Sequence, residues 1–138
     1  MLNEIWHDSF HGQIPRETYE MQLLQGEQQG LVVHLYGSLH HVTLNFGNVH
    51  AINILDEGVQ LHDPPSLTFV NQSELHRAGF PDTLYRVENG AYAAYIKACM
   101  SPNLYEAMNL RQYNLVTLNY VVEIICATEP TITVTDIY

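Results

Sequence analysis

Histidine is the residue type in this chain with the most obvious capacity for chemistry, since eight histidines stand among 138 residues. Imidazole is a common ligand of transition metals. His34 and His41 lie on two alternating runs, 31–36 and 41–46, which a four-residue connection would join as a β-hairpin. In that register the two imidazoles are diagonal neighbours on the polar face. A third ligand is missing there, so we expect the protein to bind no metal and no other cofactor. The alternative is a metal site at His34 and His41.

A second histidine cluster lies near the amino terminus, in the segment WHDSFH. If this segment were helical, His7 and His11 would be one turn apart and could chelate an ion beside Asp8. The His-Asp pair is also found in metal phosphohydrolases, but those need further ligands on long helices that this chain lacks. The favoured interpretation is therefore a segment that Trp6 and Phe10 anchor to the sheet.

The chain is poor in groups suited to nucleophilic catalysis. It contains no GxSxG sequence and no glycine-rich loop before a helix. Cys99 and Cys126 lie far apart, inside apolar stretches, and we expect both to be buried free thiols. We therefore predict that the protein is not an enzyme and has no catalytic residues.

The charge balance is strongly acidic: fifteen aspartates and glutamates oppose five basic residues, giving a net charge of −10. Such a chain is repelled by nucleic acid and by anionic membranes, but is attracted to a basic protein. The alternative is that the acidic surface serves only solubility. Because no apolar run reaches the length of a membrane span and no signal peptide is visible, we expect one cytoplasmic domain, 1–138.

Alternation of apolar and polar residues predicts a sheet, in which residues 31–55 form the centre. Gly47-Asn48 is typical of a two-residue hairpin turn, which would return 49–55 alongside 41–46. The predicted strands are 17–24, 31–36, 41–46, 49–55, 67–70, 84–88, 111–116 and 131–135. The last could pair across a two-fold axis, so a homodimer is possible for this chain.

Two longer helices and one helical turn, at 73–79, are predicted. Tyr92, Ile96 and Cys99 share one face of a helix over 90–100. For 119–126 the Asn119 cap favours a helix, while the β-branched residues leave a strand open. The predicted class is α+β: an antiparallel β-meander with two helices packed on one face of the sheet. That face consists of Val33, Leu35, Val42 and Leu44.

Several stretches together resemble a group of small bacterial proteins that includes immunity proteins of polymorphic toxin systems and uncharacterised relatives. They are Trp6-His7-Asp8, residues 48–58, Val87-Glu88-Asn89, and 119–125 closing on Glu129-Pro130. The resemblance implies a cytosolic protein of sheet and helices that binds and blocks a cognate toxin. Such families share a scaffold without a catalytic set, so no site residue is carried over.

Charge and resemblance together favour a small non-enzymatic, immunity-like protein whose acidic surface masks a basic site on a toxin. The alternatives are a histidine-based metal-binding protein and a homo-oligomeric structural domain. The predicted partner-binding carboxylates are Asp56, Glu57 and Asp63, on loops at one end of the sheet, with Glu17 and Glu20 on the neighbouring strand.

Overall fold

The computed structural model describes residues 3–56, 68–69 and 80–137. The predicted helical turn at 73–79 lies outside these residues. Most described residues form antiparallel strands, and two short helices accompany them, in agreement with the predicted α+β class. No helix in the described ranges is long and apolar enough to cross a membrane. The elements are β1 Asn3–His7, β2 Glu20–Gly26, β3 Gly30–Tyr36, β4 His40–Gly47, β5 Val49–Asp56, β6 Thr68–Phe69, β7 Leu84–Glu88, α1 Ala91–Cys99, α2 Leu104–Ala107, β8 Arg111–Val116, β9 Tyr120–Cys126 and β10 Thr131–Asp136.

The strands form two sheets, ordered β5-β9-β8-β7-β1-β6 and β10-β4-β3-β2. Strands β2, β3 and β4 form an antiparallel meander, as predicted. Leu35 pairs with Val42 and Tyr36 with His41, which confirms the predicted hairpin register. A bulge shifts Leu31 by one position, so that it faces Gly47. Strand β10 lies at an edge, beside β4 alone, so its two-fold pairing stays a prediction.

The predicted hairpin between 41–46 and 49–55 is wrong. Strand β5 pairs with β9 in the other sheet, and Gly47-Asn48 carries the chain from one sheet to the other. Gly47 has a φ of +67°, so glycine suits this corner as well as it would suit a hairpin turn. His50, on β5, therefore lies in the other sheet from His34 and His41.

One hydrophobic core fills the space between the inner faces of the two sheets. The predicted apolar face of β3 and β4 is therefore covered by the second sheet, and the prediction that helices cover it is wrong. Residues 120–126 belong to this second sheet as β9, and the helix favoured for 119–126 is wrong. The core residues are Leu31, Val33, Leu35, Val42, Leu44 and Phe46 from the smaller sheet, and Leu84, Tyr113, Leu115, Val122, Ile124 and Cys126 from the larger.

Helix α1 forms where the periodicity predicts it, but none of its residues is buried. Tyr95 is 64 % exposed and Cys99 is also exposed, so the predicted burial of this thiol is wrong, whereas Cys126 is buried as expected. Side chains of the six-stranded sheet hold the helix by its first turn. The backbone N–H of Ala91 donates to the Glu4 carboxylate at 2.9 Å, and that of Ala93 donates to Gln112 Oε1 at 3.0 Å.

The amino-terminal segment is a strand, β1, which rules out the helical pairing of His7 with His11. Trp6 and Phe10 are buried, which confirms them as anchors of the segment. Phe10 enters the main core, while Trp6 packs on the outer face of the larger sheet. The Trp6 ring centroid lies 5.4 Å from that of Tyr85.

We predict that Gly30→Ala destabilises the fold much more than Gly12→Ala. Both glycines have positive φ, which costs an alanine about 1–2 kcal/mol. A Cβ on Gly30 would also lie 2.2 Å from the Gly47 carbonyl oxygen, beside the corner between the sheets, whereas nothing lies within 4 Å at Gly12. Urea unfolding of the two variants measures the difference. Equal losses of unfolding free energy would show that the close approach at Gly30 is unimportant.

Candidate partner-binding site

Strands β5 and β9 end together at one end of the larger sheet. Asp56 pairs with Tyr120 and Ile54 pairs with Val122. Cross-strand partners point to the same face, so Ile54 and Tyr120 are diagonal neighbours beside Asp56. Tyr120 is 45 % exposed and Ile54 is 46 % exposed. This end of the sheet thus presents apolar side chains next to a carboxylate.

The turn between β8 and β9 brings a strand of the smaller sheet to the same place. The backbone N–H of Thr117 donates to the Tyr120 carbonyl at 2.9 Å and closes the turn, while that of Leu118 donates to the Tyr19 carbonyl at 2.9 Å. Residues 117–120 and Glu20 line one groove of about 220 Å³. We call the set Glu20, Asp56, Leu118 and Tyr120 the acidic-aromatic surface. Leu118 is 45 % exposed within it.

The predicted partner-binding carboxylates have different surroundings. Glu20 and Asp56 both flank the turn at 117–120, because β5 pairs with β9 and Leu118 hydrogen-bonds beside Glu20. Both carboxylates belong to exposed residues. Glu57 and Asp63 lie outside the described residues.

Glu17 instead anchors the β3–β4 turn and is only 9 % exposed. Its carboxylate accepts hydrogen bonds from the Leu39 backbone N–H at 2.8 Å and from Ser38 Oγ at 3.2 Å. It also pairs with His40 Nδ1. The hydrogen bond from the Leu39 backbone N–H is the main cause of the lowered pKa of Glu17. These contacts give Glu17 a role in positioning the turn.

Leu118 and Tyr120 were not among the site residues predicted from the sequence. Their exposure depends on β9 being a strand that begins at Tyr120, whereas a helix was favoured there. Asn119, a residue that favours turns, stands between two apolar runs and is the available signal. Interpreting those two runs as a hairpin would have placed Leu118 and Tyr120 at its tip.

His34 and His41 meet as the hairpin register predicted. His34 Nδ1 lies 3.0 Å from His41 Nε2, and the Tyr36 ring stacks on the His41 ring with centroids 4.8 Å apart. One imidazole therefore donates a hydrogen bond to the other. Metal bonds of about 2.0–2.1 Å from both nitrogens would also be compatible with this separation.

A different cluster brings three potential metal ligands together near the amino terminus. In the described part of the chain, Asp8, His11 and Asp82 are the one group of three such residues within reach of a single ion. His11 Nδ1 lies 2.9 Å from Asp82 Oδ1, and this hydrogen bond raises the pKa of His11. Asp8 and His11 are exposed, so a hydrogen-bonded ion pair accounts for the contact without a metal.

A buried carboxylate lies on the outer face of the larger sheet. Glu123 accepts hydrogen bonds from Asn53 Nδ2 at 2.9 Å and from Gln112 Nε2 at 3.3 Å. Gln112 Nε2 also donates to Asn114 Oδ1 at 2.8 Å. Burial, with the nearby charge of Glu4, raises the pKa of Glu123 to about 7. The carboxyl group therefore holds a proton in the folded protein at pH values where it is ionised in the unfolded chain.

We predict that this proton makes stability fall as the pH rises from about 4.5 to about 7. In this window the folded state holds one more proton than the unfolded state, so each pH unit lowers the unfolding free energy by about 1.4 kcal/mol. Glu123→Gln removes this contribution, and Glu129→Gln, at an exposed site, serves as the control. Urea unfolding across the pH range measures the difference, and parallel curves for wild type and Glu123→Gln would contradict the prediction.

The chain has no detected relatives from which a function could be transferred. No protein-family model matches it, and searches of curated proteins and of solved structures return no significant match. A proposal for its function therefore starts from the acidic-aromatic surface and from the pair His34 and His41.

Proposed function

We propose that the protein is a small non-enzymatic binding protein that inhibits a basic protein partner, such as a toxin, in the manner of an immunity protein. The observation that carries this proposal is the acidic-aromatic surface, where Glu20 and Asp56 flank the exposed side chains of Leu118 and Tyr120. The resemblance to immunity proteins and the net charge of −10 support the same reading.

The apolar side chains supply the affinity in this proposal. Tyrosine is enriched at the centres of protein interfaces, because it buries a large area at low cost in side-chain entropy. Tyr120, Leu118 and Ile54 are each close to half exposed, so a partner can still remove much of their surface from water. Burial contributes roughly 25 cal/mol per Å² of apolar surface.

The carboxylates supply the selectivity and the rate of encounter. Strands β2, β5 and β9 and the turn at 117–120 contain no lysine or arginine, so the elements that build this surface carry no fixed positive charge. Charge complementarity of this kind speeds association and makes it depend on salt. A basic partner is accordingly favoured over an acidic or neutral one.

The environment of the buried cysteine supports a role without covalent catalysis. Burial raises the pKa of the Cys126 thiol to about 11, so little of it is thiolate near neutral pH. Its Sγ donates to the Thr128 carbonyl at 3.3 Å, on the core side of β9. This thiol therefore contributes to packing.

We predict that a basic partner captured from extract of the native cells binds wild type but not the double variant Glu20→Lys/Asp56→Lys. Reversing two charges replaces attraction by repulsion at the proposed interface. Tyr120→Ala should weaken capture as well, since it removes the central anchor. The matched control is Glu27→Lys, which reverses an exposed carboxylate in the turn at the far end of β2.

The measurement is a pull-down at low and high salt with mass spectrometry of the retained proteins. Retention of one basic protein by wild type and Glu27→Lys, with loss from the double variant and at high salt, supports the proposal. Equal retention by both charge-reversal variants would place the interface elsewhere.

Metal binding by His34 and His41 is a second candidate function, favoured by the 3.0 Å separation of their ring nitrogens. On this proposal, the two imidazoles bind a transition-metal ion such as Zn²⁺, with solvent or a partner completing the coordination.

We predict for this candidate that zinc binding to untagged protein is lost in His34→Ala and in His41→Ala. His50→Ala serves as the control, because His50 is an exposed imidazole on β5, in the other sheet. Calorimetric titration with zinc measures the affinity. Unchanged binding in the first two variants would exclude the pair as the site.

A further inference from the structure

Strand β10, Thr131–Asp136, is an exposed edge of the smaller sheet. All six of its residues pair with β4 in one unbroken register, and no strand of the described chain lies on its other side. Five of the six residues are exposed. A regular, open edge of this kind can pair with a further strand.

The other sheet edges of the described chain are less suited to such pairing. Strand β6 has two residues, and the register of β5 is interrupted between Val49 and Ala51. At the start of β2, the Tyr19 carbonyl already accepts a hydrogen bond from the Leu118 N–H. Short length, irregularity and a covering turn each protect an edge. Strand β10 has none of these protections.

The backbone groups that β10 leaves unpaired follow from one hydrogen bond. The Ile137 N–H donates to the Leu39 carbonyl at 3.0 Å, on the side of β4. Successive residues of an antiparallel strand direct their backbone groups to opposite sides, so the odd-numbered residues of β10 bond to β4. The N–H and C=O groups of Ile132, Val134 and Asp136 therefore point to the free edge.

The neighbouring strand gives the same assignment. The Gly37 N–H donates to the His40 carbonyl at 2.9 Å, across the turn between β3 and β4. The even-numbered residues of β4 therefore bond to β3, and its odd-numbered residues bond to β10. The odd-numbered residues of β10 lie opposite these, as Thr133 does opposite Thr43.

We propose that β10 pairs with β10 of a second copy of this chain, in antiparallel orientation, about a two-fold axis at Thr133. In this register Ile132 of each copy lies opposite Val134 of the other, and Thr131 lies opposite Thr135. Ile132 and Val134 both direct free backbone groups to the edge, so each of the two Ile132–Val134 pairs forms two hydrogen bonds. The two smaller sheets then become one continuous sheet.

The side chains fit this register as well. Val134 and Ile132 lie opposite the buried residues Val42 and Leu44, so they point to the core face of the sheet. Val134 is still 39 % exposed. In the dimer it meets Ile132 of the other copy, and the pair extends the apolar face across the axis. A shift by one residue would place valine opposite threonine, which makes it unfavourable.

The edge also lacks the positive charges and prolines that commonly prevent pairing, since residues 131–136 are TITVTD. The one charged residue, Asp136, stands at the end of the strand, and its carboxylate lies 3.3 Å from His40 Nε2. Each copy has a net charge of −10, so long-range repulsion opposes the dimer and salt should strengthen it. The proposed capture of a basic partner has the opposite dependence on salt.

The interface is small, because each copy contributes one strand edge. Interfaces below about 1,200 Å² are typical of weak association, so we expect a dissociation constant in the micromolar range. Glu20 of the acidic-aromatic surface lies on β2, at the opposite edge of the smaller sheet. Self-association therefore leaves that edge free.

The first test is sedimentation velocity of the untagged full chain over a series of concentrations, at low and high salt. We expect a monomer–dimer equilibrium that Val134→Lys weakens by about tenfold or more, because it places a charge in the paired edge. The matched control is Leu24→Lys, which changes a residue of similar exposure, 41 %, on β2. Circular dichroism checks that both variants are folded.

The second test is disulfide trapping in a Cys99→Ser background, which removes the exposed thiol. Thr133 lies on the axis as a pair without hydrogen bonds, with its Cα about 4.5 Å from that of its own copy. This separation is within the range of disulfides, so Thr133→Cys should cross-link two chains under mild oxidation. Thr131→Cys is the control, because its two copies lie about 13 Å apart along the strands.

A dimer that Val134→Lys weakens, that Leu24→Lys leaves unchanged and that Thr133→Cys traps would support the proposal. A wild-type monomer at every concentration, or association that Val134→Lys does not weaken, would overturn it. Equal cross-linking by Thr131→Cys and Thr133→Cys would overturn the two-fold register. Neither test uses the proposed basic partner, so failure of the inhibitor proposal does not affect this one.

Discussion

The constraint on which this structure depends is that each of its two sheets has one apolar face, and the two faces cover one another. Neither helix supplies that cover, and no residue of α1 or α2 is buried. The chain must therefore cross between sheets, and it does so between β1 and β2, at Gly47-Asn48, and between β9 and β10. The crossing at Gly47-Asn48 takes β5 away from β4 and places Asp56 beside Tyr120, so the acidic-aromatic surface results from the way in which the two sheets close the core.

A second constraint acts on the outer face of the larger sheet, where polar groups are buried between the strands and α1. Unpaired buried polar groups are costly, so each needs partners. The side-chain amide of Gln112 is paired at both of its polar atoms. Its Oε1 accepts a hydrogen bond from the first turn of α1, and its Nε2 donates to Asn114 and Glu123. Gln112 also lines a cavity of about 480 Å³ between α1, α2 and the adjoining ends of β7 and β8. The buried network thus fixes the helix that forms one wall of that cavity.

Sequence patterns predicted most strands and the pairing of β3 with β4, because one face of each strand is apolar and the register follows from the turn. They failed for β9, where Val121, Val122, Ile124 and Ile125 are buried on both faces of the sheet. Such a continuous apolar run loses the alternation that identifies a strand. They failed again at Gly47-Asn48, since positive φ suits a corner and a hairpin alike. At the site, Glu20 and Asp56 could be selected by charge, whereas Tyr120 could be selected only once β5 and β9 were paired.

The strand order also bears on how the chain can fold while it is being synthesised. Strands β2, β3 and β4 are consecutive, so they can pair soon after they leave the ribosome. Strand β5 must wait for β9, and β1 must wait for the later strands β6 and β7. Until residues 120–126 have been made, the apolar face of the early meander has no complete second sheet to cover it. Nascent chains therefore expose this apolar face until the strands of the second sheet have been made, and the core closes late in synthesis.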